Sequence, residues 1–281
     1  MRVQQWIKNL FLFAALVFSF HLRYWNDVLL TVAGFFAFSL AASGIYLVND
    51  VADLEADKLH PVKSKRPLPS GKLSKQAALV SSVILMAIGV AWGFYLRMDY
   101  GIVVVVYVMI NIAYSISLKN VVILDVMTIA AGFVLRVIGG AVLIDVPTSE
   151  WLIVCTVLLS LFLGFSKRRH ELTLLEGVAN SHRTVLRQYS PYFLDQMIGI
   201  VTASTVMSYA LYTMSAETMQ KFGTKHLIYT VPFVLYGIFR YLYLVHKNEE
   251  GGNPAKLAVT DRPLLVNIIL WVIVVIVIIY H

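Results

Sequence analysis

The residues best suited to chemistry fall in one stretch, Asn49-Asp50-Val51-Ala52-Asp53-Leu54-Glu55-Ala56-Asp57. At 3.6 residues per turn, Asn49, Asp53 and Asp57 stack at i, i+4 and i+8, and Asp50 completes an arc of about 100° on one helical face. His60 returns to that face just before Pro61 ends the helix. Carboxylates so spaced repel one another, by roughly 0.2–0.5 kcal/mol per pair on a bare helix and by more at a membrane mouth. A divalent cation relieves the repulsion. Hard oxygen donors select Mg²⁺, which keeps waters and substrate phosphate in its shell. Asn49, Asp50, Asp53 and Asp57 are therefore the candidate metal ligands, and Tyr46 on the same face is a candidate substrate contact. A solvated acidic helix end is the plain alternative. It leaves unexplained the basic residues that follow at once, Lys63, Lys65, Arg66 and Lys72. An acidic face with a basic cluster beside it suits a metal together with an anionic ligand, and Lys63 and Arg66 become candidate phosphate contacts.

A second cluster, Lys167-Arg168-Arg169-His170-Glu171, follows an apolar run. Lys167 and Glu171 share a face at i, i+4. The cluster reads either as a basic membrane flank or as a phosphate site for Lys167, Arg168 and Glu171. Lys119 reads as a phosphate ligand or as an anchor. Asp125, Gly132 and Arg136 lie within about 40° on one helical face. About 16 Å of helix rise separates Asp125 from Arg136, so each needs a partner elsewhere. Asp125 is open to substrate contact or an internal salt bridge. An intramembrane Arg136 is open to a functional role or a structural pair. Arg183, Arg187 and Tyr189 are further substrate candidates, as is Lys8. Arg240 snorkels or pairs. Asp261 and Arg262 close the cavity or pair with each other. Trp25, Trp92, Trp151 and Tyr280 suit interface belts. No nucleophile elbow, zinc ligand pair, Walker loop or dinucleotide fingerprint is present.

The elements that must position these groups are membrane helices. Of 281 residues, 59% are hydrophobic and only 14% charged, with mean hydropathy +0.75, against roughly 25% charged in soluble domains. Nine apolar runs are long enough to consider as spans: about 6–22, 28–48, 76–96, 100–117, 122–143, 150–166, 195–214, 226–246 and 263–280. The first lacks a small-residue cleavage site and reads as a retained span. Arg23, Arg97, Lys221 and Lys225 lie in alternate connections, while 17 other basic residues lie on the opposite side. The positive-inside rule then puts the N-terminus in the cytoplasm and the C-terminus outside. The net charge of +7 reads as cytoplasmic loops and phosphate ligands, with no nucleic-acid partner. The single cysteine, Cys155, sits in an apolar run and excludes an internal disulfide. The expected fold is all-α, one polytopic domain over residues 1–281. Two long polar loops, 49–75 and 167–194, follow the second and sixth runs and cover the mouth of the site. This spacing hints at two similar halves.

The segment NDVADLEADKLHPVKSKRPLPSG, residues 49–71, resembles the first Asp-rich motif of the UbiA superfamily of intramembrane prenyltransferases. The resemblance implies a nine-helix barrel opening to the cytoplasm and sideways to lipid, with Mg²⁺-diphosphate at the helix end. Members usually carry a second Asp-rich motif after the sixth span. Here Lys167–Glu171 stands in its place, and no Asp follows until Asp195. One acidic and one basic motif suit two phosphate-bearing substrates, one on metal and one on Lys and Arg. Six segments, in order along the chain, are similar to the decaprenyl-phosphate phosphoribosyltransferase family: Gln5–Asn9, Tyr114–Lys119, Gly132–Arg136, Lys167–Glu171, Arg187–Ser190 and Asp261–Leu264. That resemblance implies transfer of 5-phosphoribosyl from phosphoribosyl pyrophosphate to a polyprenyl phosphate in cell-envelope synthesis. It also implies a bacterial plasma-membrane site facing the cytoplasm, and a homotrimer. Asp50, Asp53 and Lys119 would stand nearest the chemistry. The rival readings are a quinone-pathway aromatic prenyltransferase, which the missing second Asp motif opposes, and a transporter. A transporter predicts ionisable groups at the bilayer midplane, whereas most here gather at one end of the spans.

Overall fold

The computed structural model describes residues 3–59, 63–174, 184–247 and 254–281, and within them there is no β-strand. Twelve α-helices follow in order: α1 (Phe13–Phe18), α2 (Trp25–Ala52), α3 (Leu54–Leu59), α4 (Lys75–Leu96), α5 (Met98–Ile116), α6 (Leu124–Leu143), α7 (Glu150–Leu174), α8 (Pro191–Met214), α9 (Ala216–Phe222), α10 (Val231–Lys247), α11 (Pro254–Thr260) and α12 (Arg262–Tyr280). Among the described residues, eight helical segments are long and apolar enough to cross a bilayer: α2, α4–α8, the segment His226–His246 that includes α10, and α12. With backbone bonds closed inside each segment, helices of this kind satisfy their polar groups in lipid.

The first apolar run is built differently from the expected span. Val3–Leu12 is a 3₁₀ helix, followed by the short α1. Three residues per turn align Trp6, Asn9 and Leu12 on one side. Each meets a neighbour there. The Trp6 indole N–H donates to Ser43 Oγ (3.0 Å) and the Asn9 amide to Ser39 Oγ (2.8 Å), both on α2. A Cβ on Gly140 of α6 would collide with the Leu12 carbonyl oxygen. These anchors on two helices hold the tighter winding. Ten residues at about 2.0 Å and six at about 1.5 Å still rise roughly 29 Å, close to the hydrocarbon thickness.

One buried cluster joins this segment to α2, α5 and α6 through Leu12, Leu16, Phe38, Ile45, Tyr100 and Leu143. A second joins the start of α6 to α7, α8, α10, α11 and α12 through Val126, Phe162, Leu194, Tyr241, Leu257 and Leu264. Packing between α2 and α4 depends on small residues. A Cβ on Gly89 would stand 2.6 Å from Ala41 N and 2.7 Å from the Ala37 carbonyl, so no larger residue fits without parting the helices. The outward faces of α4 (Val80, Val83, Ile84) and α12 (Val266, Ile273, Val277) are exposed and apolar, as a lipid-facing surface requires.

The ends of the helices sort the functional groups. Helices α2, α5, α7 and α10 finish, and α4, α6, α8 and α12 begin, at the end that carries Asn49–Asp53, Lys119, Asp125 and Lys167–Glu171. Asp261 sits there as the N-cap of α12, accepting from the Leu264 amide (2.9 Å). It pairs with Arg240 (3.1 and 2.8 Å), which settles both residues' partners. Hydrogen bonding from Arg240 holds the Asp261 carboxyl below its usual range. A carboxyl depressed in the folded state stabilises at neutral pH and loses that contribution as pH falls through its folded value. Asp261→Asn is therefore expected to lower the thermal midpoint at pH 7, with the gap to the parent closing on acidification in a pH series of melts.

Candidate active site

Helix α2 runs straight into the acidic face and changes direction at Asp53, whose φ of −97° and ψ of 11° interrupt the helix before α3. The stacking survives the break: the Asp53 amide donates to the Asn49 carbonyl (2.9 Å) and the Asp57 amide to the Asp53 carbonyl (2.8 Å). Cations from elsewhere in the chain meet the carboxylates. Arg66 Nη1, just beyond the 3₁₀ turn Lys63–Lys65, bonds Asp57 (2.8 Å) and Asp50 (3.3 Å). Lys119 Nζ, in the 3₁₀ turn after α5, bonds Asp53 (2.6 Å). Asp50 and Asp57 are buried. Lys8 lies 6.0 Å from the Tyr46 ring centroid, one turn before Asn49. His60, Arg183 and the side chain of Lys63, all named from sequence, lie outside the described residues.

The second cluster turns inward. Arg168 is 1% exposed. Its Nε bonds Asp125 (2.6 Å), its Nη1 bonds Glu171 (2.6 Å), and its Nη2 donates to the Tyr114 hydroxyl (3.2 Å). Asp125 is fully buried and also accepts from Tyr189 Oη (2.7 Å), which in turn accepts from the Ile123 amide (2.7 Å). Asp125 thus makes the internal salt bridge rather than standing open to a substrate. Burial, and then the bond to Asp125, raise the Tyr189 hydroxyl well above its ordinary value, so it stays a neutral donor. It braces a strained point: Ile123 has φ of 71°, which a β-branched residue avoids. Lys167 approaches Glu171 at 3.8 Å. Arg169 faces away, to Asp195 (2.9 Å) and Thr173 (2.5 Å).

Arg136 is buried deeper, among the rings of Phe38, Tyr107 and Phe133. It donates to Asn9 Oδ1 (2.7 Å), the Gly132 carbonyl (2.6 Å) and the Tyr107 hydroxyl (3.0 Å). These bonds tie the first segment to α5 and α6 and give Arg136 a structural partner. The residues that sequence reasoning gave no role are Tyr114 and Ser115. Ser115 lies against the Asn49 side-chain amide while Tyr114 holds Arg168. Adjacent residues of α5 thus join both motifs. Ser115 stands one turn before Lys119, and that i, i+4 spacing was the available signal.

The donor set fits a hard cation. It consists of carboxylates, with the Asn49 amide oxygen placed against the Ser115 hydroxyl, and the protein already places two cationic side chains on it. Among the described residues no three acidic, imidazole or thiol groups converge as a ready-made cage.

A model of the UbiA prenyltransferase family matches residues 10–268. The chain belongs to that family. Its relatives include the decaprenyl-phosphate phosphoribosyltransferase of Mycolicibacterium smegmatis, 31% identical, with the match covering 96% of this chain and 88% of the relative. That of Corynebacterium glutamicum is also 31% identical, over 100% and 85%. In fold, this UbiA-family chain is similar to a UbiA homolog from Archaeoglobus fulgidus solved with GPP and Mg²⁺. The TM-score is 0.74 at 18% identity, over 100% of this chain and 98% of that one. The all-α, multi-pass membrane architecture expected of the UbiA family is thereby shown.

Proposed function

We propose that this protein transfers the 5-phosphoribosyl group of phosphoribosyl pyrophosphate to a polyprenyl phosphate, releasing pyrophosphate. The observation that carries the reading is the Arg168 cluster. Arg168 takes up Asp125 and Glu171, so among the described residues the α7 end offers no second acidic face for metal. A prenyl diphosphate ionising between two metal-loaded faces lacks half its site here. A donor held through one pyrophosphate on Asn49–Asp57 does not. The relatives named as decaprenyl-phosphate phosphoribosyltransferases, matched along 96% of this chain or more, point the same way.

Asp50 and Asp53, with Asn49 and Asp57, would hold Mg²⁺ on the pyrophosphate. When bound, the ion neutralises charge on that leaving group. Lys119 and Arg66 stand on the same carboxylates and can pass to phosphate oxygens as the carboxylates take up the ion. Lys8, Lys63, Lys167 and Arg183 are proposed contacts for the remaining phosphates, and Tyr46 for the ribose side. The bond from ribose C1 to the pyrophosphate oxygen breaks with its electron pair leaving on pyrophosphate, and an oxygen of the polyprenyl phosphate bonds to C1. An ionised phosphate oxygen needs no strong general base. Positioning and electrostatics supply the rate.

We place the site at the cytoplasmic face of a bacterial plasma membrane, with the 3–18 segment as a ninth crossing, the N-terminus inside and the C-terminus outside. The basic end of the bundle supports that orientation. Lys119→Met separates two effects of opposite sign. Binding of Mn²⁺ should tighten, because a competing cation has left Asp53. The kcat/KM for phosphoribosyl pyrophosphate should fall about ten- to a hundredfold, the worth of one charged hydrogen bond. The reading as a whole is tested by equilibrium binding to the purified protein. Labelled phosphoribosyl pyrophosphate should be retained with Mg²⁺ and released by chelator. Preferential retention of a prenyl diphosphate would count against it.

A further inference from the structure

We infer that Ser115 sets which way round the Asn49 side chain faces, and so turns the Asn49 carbonyl oxygen toward the acidic face as a neutral ligand. The inference rests on the reading of that face as a cation site, and concerns a residue to which neither motif assigns a part. The Ser115 hydroxyl is buried and meets two groups: the Asn111 carbonyl one turn back on α5 (2.7 Å), and the Asn49 side-chain amide on α2. It has one proton to give. With Asn49 Oδ1 toward it, both neighbours are acceptors and one goes without. Turning the amide by 180° fills the same space and removes the conflict, because Nδ2–H then donates to Ser115 Oγ while Ser115 donates to Asn111.

Several other helical hydroxyls in the bundle give their proton to their own helix. Ser43 donates to the Ser39 carbonyl one turn back (2.7 Å) and accepts the Trp6 indole N–H (3.0 Å). Thr31, Thr156 and Thr205 likewise donate to the carbonyl four residues back, at 2.6–2.7 Å. These hydroxyls give their proton to their own helix, and Ser43 also receives one from its neighbour. Ser115 in that role fixes Nδ2 of Asn49 toward α5 and leaves Oδ1 for the side shared with Asp53 and Asp57. The face then offers three carboxylates and one uncharged oxygen. A cation thus gains a ligand there without a fourth like charge to repel the others.

The experiment titrates Mn²⁺ into the full-length purified protein, follows free Mn²⁺ by electron paramagnetic resonance, and repeats the titration against Mg²⁺. Ser115→Ala should weaken Mn²⁺ binding tenfold or more, the usual size of effect when a group orienting a metal ligand is lost. Ser115→Thr, which keeps the hydroxyl, should bind close to the parent, well short of the roughly tenfold loss that follows removal of an orienting group. In an Asn49→Asp background a carboxylate has no wrong way round, so Ser115→Ala should cause no further loss. Ser115→Cys, of similar volume and a poor acceptor, serves if the alanine variant does not fold. Unchanged affinity in Ser115→Ala overturns the inference, as does an equal loss in the Asn49→Asp background, which would mean simple packing. Parent protein that binds no Mn²⁺ in competition with Mg²⁺ overturns the cation reading of the face and this inference with it.

Discussion

Asp53→Asn should yield a folded protein with turnover lowered at least a hundredfold. The substitution keeps the size and shape of the side chain, and the amide oxygen can still accept from Lys119, now 2.6 Å away. Only the charge changes. Asp53 is the carboxylate at the point where α2 gives way to α3, between Asn49 and Asp57 on the stack. Losing its charge weakens the hold on a cation at the moment when negative charge builds on the leaving pyrophosphate. Removal of a single group aimed at such charge costs about 10²–10³ in kcat. Stability should change little, because Lys119 sits at a helix end and can carry its ammonium to water. The check is kcat together with a thermal melt of the same preparation. Near-parental turnover would remove the metal role from this face.

Arg168→Met should fail in the opposite way, by loss of the fold. Arg168 and Asp125 have side chains 1% and 0% exposed, and Glu171 and the Tyr114 hydroxyl complete the guanidinium's partners. Methionine matches the stem but leaves Asp125 a buried carboxylate with only Tyr189 for a partner. Breaking one side of a buried pair costs about 3–5 kcal/mol, a large share of the roughly 5–15 kcal/mol that holds a domain together. The loss should spread, since Tyr189 also supports the strained Ile123 at the start of α6. Low yield and a sharply lowered thermal midpoint are expected, with Arg168→Lys only partly restoring them because one ammonium cannot meet three partners in the planar pattern of a guanidinium. An Arg168→Met protein with a parental melt and only a raised KM for a phosphate substrate would make Arg168 a phosphate ligand.

That second prediction marks where sequence reading stopped. Hydropathy and charge alternation gave the membrane helices, because a continuous apolar run that crosses a bilayer closes its backbone hydrogen bonds within itself as a helix. The stacking of Asn49, Asp53 and Asp57 was readable because helical spacing alone decides it. The first segment was harder. Apolar content does not distinguish a 3₁₀ helix from an α-helix, and its winding is set by Ser39, Ser43 and Gly140 on other helices. Partners across helices were likewise out of reach. Asp125 and Arg136 share a face in sequence, yet one meets Arg168 and the other Asn9. Lys167–Glu171 read as a basic flank or as a phosphate site, but a helix turns its residues about 100° apart. Arg168 therefore points into the core, while Arg169 turns to Asp195.

The most direct measurement follows two labels through one reaction. Phosphoribosyl pyrophosphate carrying ¹⁴C in the ribose and ³²P at the β-phosphate is incubated with the purified protein, Mg²⁺ and polyprenyl phosphate. The products are then separated into lipid and water phases. The predicted result is ¹⁴C in the lipid and an equal amount of ³²P in pyrophosphate, both abolished by chelator and by Asp53→Asn. No ¹⁴C in lipid, alongside a lipid-soluble product formed from a prenyl diphosphate and an aromatic acceptor, would contradict it.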